Sequence, residues 1–140
     1  MLKGIPKIIS PELMKILMEM GHGDEIVLGD ANFPGENYGK RCVRCDGHGV
    51  PELLEAILKL FPLDVYDAPA YVMEVVPGDD VKTPIWDKYA ELIKPYSDAK
   101  LKPIERFSFY ERAKDAYAVV MTGESALYAN LIIKKGVVAE

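Results

Sequence analysis

The side chains best suited to chemistry begin with one histidine and one acid. His22, one of only two histidines in the chain, lies in Gly21-His22-Gly23-Asp24-Glu25. The apolar run Ile26-Val27-Leu28 follows, and Asp30 closes it ahead of Ala31-Asn32-Phe33-Pro34. An imidazole titrates near neutrality, so it can both give and take a proton. Its flanking glycines let a ligand approach the backbone closely. The alternative is a surface histidine favoured by a helix C-terminus. Asp24 and Glu25 are acids beside a strand, and Glu25 reads as solvated or capping. Asp30 differs because it ends the apolar run. Ligands of open α/β sheets bind at strand ends, where a carboxylate can orient an imidazole or hold a hydroxyl.

Further along, Arg106 sits in Ile104-Glu105-Arg106-Phe107 and reads as lying outside a helix. It is either a salt-bridged surface residue or a fork of donors for ligand oxygens. Tyr128-Ala129-Asn130 places a phenol and a carboxamide just before an apolar run, although a tyrosine there also serves as half-buried core. His22, Asp30, Arg106 and this segment together make a polyol-sized set of donors and acceptors. Their spacing along the chain does not by itself bring them together.

Cys42-Val43-Arg44-Cys45 is a CxxC, the spacing of redox pairs and of half zinc sites. Here it falls in a strand-like stretch. Positions i and i+3 of a strand point to opposite faces, which suits neither a disulfide nor chelation. Two buried small hydrophobes are the better reading. A metal-dependent hydrolase built on His22, Asp24, Asp30 and His48 lacks any HxH or HExxH spacing.

The whole chain sets the frame for these residues. It has 140 residues, of which 49% are hydrophobic and 28% charged, with a net charge of −5. The length implies one domain, residues 1–140, with a core that needs no staples. The acidic balance argues against a nucleic-acid partner. No apolar run reaches the length of a membrane span, and the start lacks a signal-peptide pattern, so a soluble cytoplasmic protein is expected.

The positioning elements follow from periodicity and punctuation. Ser10-Pro11-Glu12 is a helix start, with Leu13, Ile16, Leu17 and Met20 on one stripe and Gly21 as a left-handed stop. Residues 26–28 form a strand covered on both faces, residues 31–40 a loop, 41–45 a second strand and 46–49 a turn. Pro51 opens a helix that is apolar nearly all round, so it is deeply buried or lies under a subunit contact. Residues 70–76 form a third strand, Pro84 opens a third helix, and 102–107 form an extended link. Ser108 and Glu111 read as a capping box for a short helix. Residues 116–121 and 130–134 complete the strands. Helices alternating with strands indicate an α/β domain with helices packed on a central sheet.

Taken together, these motifs resemble the family of fucose mutarotases and ribose pyranases, the RbsD/FucU family, and its fucose mutarotase branch most closely. The similarity rests on Gly21-His22-Gly23-Asp24-Glu25, Asp30-Ala31-Asn32-Phe33-Pro34, Phe109-Tyr110-Glu111-Arg112-Ala113, Thr122-Gly123-Glu124 and Tyr128-Ala129-Asn130, and it spans nearly the whole chain. It implies a three-layer α/β/α sandwich with a mixed, mostly parallel sheet. It also implies an isomerase that interconverts sugar anomers without cofactor or metal, in a homo-oligomer that is often a decameric ring. By position, His22 matches the family's proton donor. Asp30, Arg106, Tyr128, Ala129 and Asn130 match its substrate-binding residues, with Tyr128 or Asp30 available to move the second proton. Arginine at 106, where the ribose branch tends to carry histidine, points to an L-fucose-type sugar. Ribose-type ring interconversion and a non-catalytic sugar-binding module are the alternatives. Ala129 departs from the glycine common at that position, and the CxxC is not a family feature.

Overall fold

Eleven elements alternate along the computed structural model, which describes residues 1–140. They are α1 (Pro11–Glu19), β1 (Glu25–Gly29), α2 (Gly35–Tyr38), β2 (Cys42–Cys45), α3 (Val50–Leu58), β3 (Ala70–Met73), α4 (Pro84–Ile93), β4 (Lys102–Ile104), α5 (Arg106–Asp115), β5 (Ala118–Thr122) and β6 (Leu131–Lys134). The six strands form one sheet in the order β2-β5-β1-β6-β3-β4. Every neighbouring pair is parallel except those made by β6, which runs against both β1 and β3.

Alternation along the strands divides the interior into two layers of apolar packing. Ile26, Leu28, Ala118, Val120, Leu131, Ile133, Ala70 and Val72 face one side, where α1, α3 and α4 cover them. Val27, Val119, Ile132, Tyr71 and Met73 face the other, beneath Phe33, Phe109 and Ala113. The result is the expected three-layer α/β/α sandwich. Leu53, Leu54 and Ile57 of the all-round apolar helix α3 are fully buried within the chain, so its composition reflects burial in this core. Burying one such side chain contributes about 1.5–3 kcal/mol. No helix is long and apolar enough to cross a membrane.

Several element ends differ from the sequence expectation. Helix α1 starts as read, with Ser10 Oγ accepting from the Leu13 amide at 3.1 Å. It ends at Glu19 with Met20 in extended geometry, and the left-handed residue is Gly23 (φ 87°), not Gly21. The reason is a tight turn. The Asp24 amide donates to the Gly21 carbonyl at 3.1 Å, and the Asp24 carboxylate accepts from the Gly21 amide at 2.7 Å. The third residue of such a turn needs positive φ. Within the stretch read as loop, residues 35–38 wind into the short α2.

Strand β3 stops at Met73, and the chain then turns sharply, with the Asp79 amide donating to the Val76 carbonyl at 3.0 Å. Residues 102–104 are a true edge strand. Helix α5 begins three residues earlier than the expected Ser108 cap would allow, so Arg106 lies in its first turn. Glu105 supplies the cap, accepting from the Ser108 amide at 3.0 Å. A carboxylate placed three residues ahead does the same work as the serine would, earlier in the chain.

Candidate active site

The sheet directions decide where each candidate lies. Strands β1 to β5 share one direction and β6 opposes them. One edge of the sheet therefore collects the carboxyl ends of five strands and the amino end of the sixth. Asp30 follows β1, Arg106 follows β4, and Tyr128-Ala129-Asn130 leads into β6. The Asp30 amide donates to Asn130 Oδ1 at 2.8 Å, across one hundred residues of sequence. This bond fixes the carboxamide of the nearly buried Asn130 beside the acid.

Asp30 Oδ1 accepts from the Asn32 amide at 2.9 Å. Burial pushes the Asp30 carboxyl above its ordinary range, the amides of Asn32 and Phe33 oppose that rise, and the negative charge of Glu124 adds to it. Glu124 ties neighbouring loops together. Its carboxylate accepts from the Val50 and Ala126 amides at 3.2 and 3.1 Å, and its carbonyl accepts from the Ala31 amide at 2.8 Å.

Tyr128 is the one non-glycine residue with positive φ, 56°. Such a backbone costs on the order of 1–3 kcal/mol and persists only where its surroundings fix it. Here Trp86 Nε1 donates to the Tyr128 carbonyl at 2.8 Å, and the buried Tyr89 hydroxyl donates to the Ala129 carbonyl at 2.7 Å. Ala129 is itself fully buried, so it acts as the rigid link between phenol and carboxamide. The Tyr128 hydroxyl donates to Asp79 Oδ2 at 2.5 Å and accepts from the Val76 amide at 3.1 Å. The Asp79 hydrogen bond holds the phenol above its ordinary range, and the Val76 amide and the positive charge of Arg106 pull the other way.

Arg106 is exposed, its Cζ 4.7 Å from the centre of the Phe107 ring. It is free of the ion pairs that occupy Arg44 and Arg112. With Glu74, Val76, Pro77, Glu105 and Phe107 it lines a cavity of about 220 Å³. A donor fork, a carboxyl of raised basicity, a carboxamide and a phenol therefore border one end of the sheet, the composition a polyhydroxylated ligand requires.

His22 is not among them. It precedes β1, so it lies at the opposite end of the sheet, with the length of β1, about 16 Å, between it and Asp30. There its Nε2 lies 3.1 Å from Asp64 Oδ1. Asp64 is only 5% exposed, whereas the His22 side chain is 48% exposed. Burial would raise the Asp64 carboxyl, but the hydrogen bonds from His22 and from the Tyr66 and Val65 amides outweigh it and hold the group below its ordinary range. An ionised carboxylate accepts, so Nε2 carries a proton toward Asp64, and in the imidazolium Nδ1 carries the second proton, the one available for transfer. The exposed Tyr66 ring sits beside the imidazole, with centroids 5.7 Å apart.

The remaining candidates fall away. Cys42 and Cys45 are free and pack on opposite faces of the sheet. Burial and the neighbouring Glu36 carboxylate push the Cys42 thiol up to about 11, far from a thiolate nucleophile. His48 Nδ1 pairs with Glu52 Oε1 at 3.1 Å at the start of α3. No three His, Cys, Asp or Glu side chains are grouped to hold a metal ion.

Sequence reasoning missed Asp64, Asp79, Trp86 and Tyr89. Trp86 and Tyr89 carry only the helical spacing of core residues, and their polar ends find partners forty residues on. Asp64 follows Phe61-Pro62-Leu63, with no local pattern pointing to His22.

Comparison with known proteins shows the family that carries this fold. Residues 3–138 match the RbsD / FucU transport protein family. A fucose mutarotase of Danio rerio is 61% identical over 145 residues, covering 98% of this chain and 94% of that protein. The crystal structure of FucU from Bifidobacterium longum superposes with a TM-score of 0.95 at 59% identity, covering 98% of this chain and 100% of that one. The fucose mutarotase of Streptococcus pneumoniae, solved in complex with L-fucose, gives a TM-score of 0.94 at 52% identity, covering 99% and 100% of the two chains. With a family model matched over residues 3–138 and full-length relatives of this identity in agreement, the chain belongs to the RbsD/FucU family.

Proposed function

We propose that this protein is an isomerase that interconverts the α and β anomers of L-fucose by acid–base opening and closing of the pyranose ring. Full-length relatives that are fucose mutarotases support the reaction and the sugar. The observation that carries the site assignment is the cluster of Asp30, Arg106, Tyr128 and Asn130 at one sheet edge, held in place by Asn130 Oδ1 on the Asp30 amide. Mutarotation needs one proton removed from the anomeric hydroxyl and one delivered to the ring oxygen, so that the C1–O5 bond opens. The aldehyde rotates and the ring closes on its other face. Asp30, Arg106 and Asn130 hold hydroxyls, with Ala129 fixing the backbone between Tyr128 and Asn130. Tyr128 takes up the anomeric proton and His22 donates to the ring oxygen. The reaction uses only side-chain protons, and residues 1–140 act as one mutarotase domain.

Because His22 stands a strand length away from the other residues, the site is completed by a second copy of the chain. Both halves are rimmed by exposed apolar side chains, Tyr66 (82%) beside His22 and Phe107 (64%) beside Arg106. Large exposed apolar residues at a site mark a contact surface. The head-to-tail arrangement that this implies closes into a ring, which we take to be the decamer of the family, acting in the cytoplasm.

Saturation-transfer NMR at the anomeric proton of L-fucose tests the reading. Exchange above the spontaneous rate is expected for the native protein, and His22→Ala lowers it by about 10²–10⁴-fold. Assemblies reconstituted from a mixture of His22→Ala and Asp30→Asn chains regain activity, because some sites then combine an intact His22 with an intact Asp30. Native exchange no faster than the spontaneous rate would reduce the protein to a sugar-binding module.

A further inference from the structure

The phenol of Tyr128 raises a chemical question that the site residues leave open. A neutral phenol takes up a proton only if its own proton has somewhere to go. Asp79 holds its Tyr128 partner above the ordinary phenol range, so the hydroxyl is not ionised beforehand.

The chain from Val76 to Asp79 supplies an answer. Val76-Pro77-Gly78-Asp79 is a turn closed by the Asp79 amide on the Val76 carbonyl at 3.0 Å, with Gly78 at φ 97°. Proline second and a positive-φ glycine third are the requirements of a type II turn. The turn presents both its ends to one atom. The Val76 amide donates to the Tyr128 oxygen at 3.1 Å, and Asp79 Oδ2 accepts the phenolic proton at 2.5 Å. A carboxylate accepting a phenolic proton makes a charge-assisted O–H···O⁻ bond. Val76 and Pro77 of the same turn line the cavity that Arg106 borders. The turn that carries the carboxylate is therefore part of that cavity's border.

We propose that Asp79 is the proton acceptor behind Tyr128. This rests on the anomer-exchange reading above. In the opening step the anomeric O–H bond breaks and its proton passes to the Tyr128 oxygen. The phenolic O–H bond breaks and that proton passes to Asp79 Oδ2, while His22 gives its proton to the ring oxygen and C1–O5 cleaves. In the closing step O5 re-forms its bond to C1 and returns its proton to His22. The carbonyl oxygen takes a proton from Tyr128, which recovers one from Asp79. Nothing is consumed and no further reactant is needed.

Saturable L-fucose exchange measured by NMR on the assembled protein tests this. Asp79→Asn keeps an oxygen to accept the phenolic hydrogen bond but takes up no proton. It is expected to lower kcat by about 10²-fold with KM changed less than about threefold. Asp79→Glu recovers exchange to within about tenfold of the native rate, and added acetate restores part of the activity of Asp79→Ala. Acetate rescue does not depend on Asp79→Asn folding well, and a residue that only shaped the wall would not show it. The proposal is overturned if Asp79→Asn turns over at the native rate. It is equally overturned if the loss appears in KM alone, or if acetate restores nothing to a folded Asp79→Ala. In each case native exchange above the spontaneous rate leaves the mutarotase reading standing, whereas absence of native exchange removes both.

Discussion

Asp30 carries its charge where the fold resists it. Burial lifts its carboxyl above the unfolded value, so ionisation favours the unfolded chain. Its contribution to stability is therefore fully present below the unfolded carboxyl range and is lost as pH rises through the raised folded value. Asp30→Asn should then raise Tm at pH 7, with the gain shrinking as pH falls into the acid range, while sugar exchange collapses. Thermal melts at several pH values with parallel NMR exchange check both halves of this prediction. A melting point at pH 7 equal to or below the native one would contradict it. Such an exchange of stability for activity is usual at binding sites. His22 and Asp30 were both legible locally, one from its glycine neighbours and the other from the apolar run it ends. Asp64 was not, because its partner lies forty-two positions away and no spacing rule links them.

At the scale of elements, periodicity placed the major helices and the inner strands, and errors gathered at their ends. Caps are decided by which of several nearby polar side chains reaches the free amides, as Glu105 does before Ser108 can. The three-residue β4 offers no periodicity to read, and its pairing with β3 is settled by tertiary contact. Thr122-Gly123-Glu124 shows how much a short turn after a strand carries. Thr122 Oγ1 donates to the Gly29 carbonyl at 2.8 Å, and the Gly123 amide donates to the His48 carbonyl at 2.8 Å. A Cβ on Gly123 would run into the Asp46 carbonyl. Gly123→Ala is predicted to cost about 1–3 kcal/mol, measurable by urea denaturation, and to weaken sugar binding through the displaced Glu124. At the start of α1, Ser10→Ala should cost about 1 kcal/mol and leave exchange intact, since the Ser10 hydroxyl bonds the Leu13 amide and none of the site residues.

For the molecule as a whole, the sheet can be reached from sequence but the division of the site cannot. Strand directions had to be known before His22 could be assigned to one edge and Asp30 to the other. The proposed assembly links that division to the apolar rims. Phe107→Glu places a charge in the surface proposed to meet a neighbouring copy, which would have to desolvate it. It should yield a smaller folded species by light scattering, with a native-like circular dichroism spectrum and exchange near the spontaneous rate. A fully active monomer would mean that each chain carries a complete site.

Strand β6 sits between β1 and β3 and is antiparallel to both. Its amino end adjoins Asn130, and its carboxyl end adjoins the His22 loop, where the Gly23 amide donates to the Lys135 carbonyl at 2.8 Å. On the proposed assignment each chain offers a proton donor at one pole and a sugar cradle at the other, a polarity that an isolated copy would leave unsatisfied. With the proposed ring, activity per chain becomes a reading of concentration. It should fall on dilution below the dissociation constant of the ring, recover on reconcentration, and show a lag when dilute stocks are mixed directly into sugar.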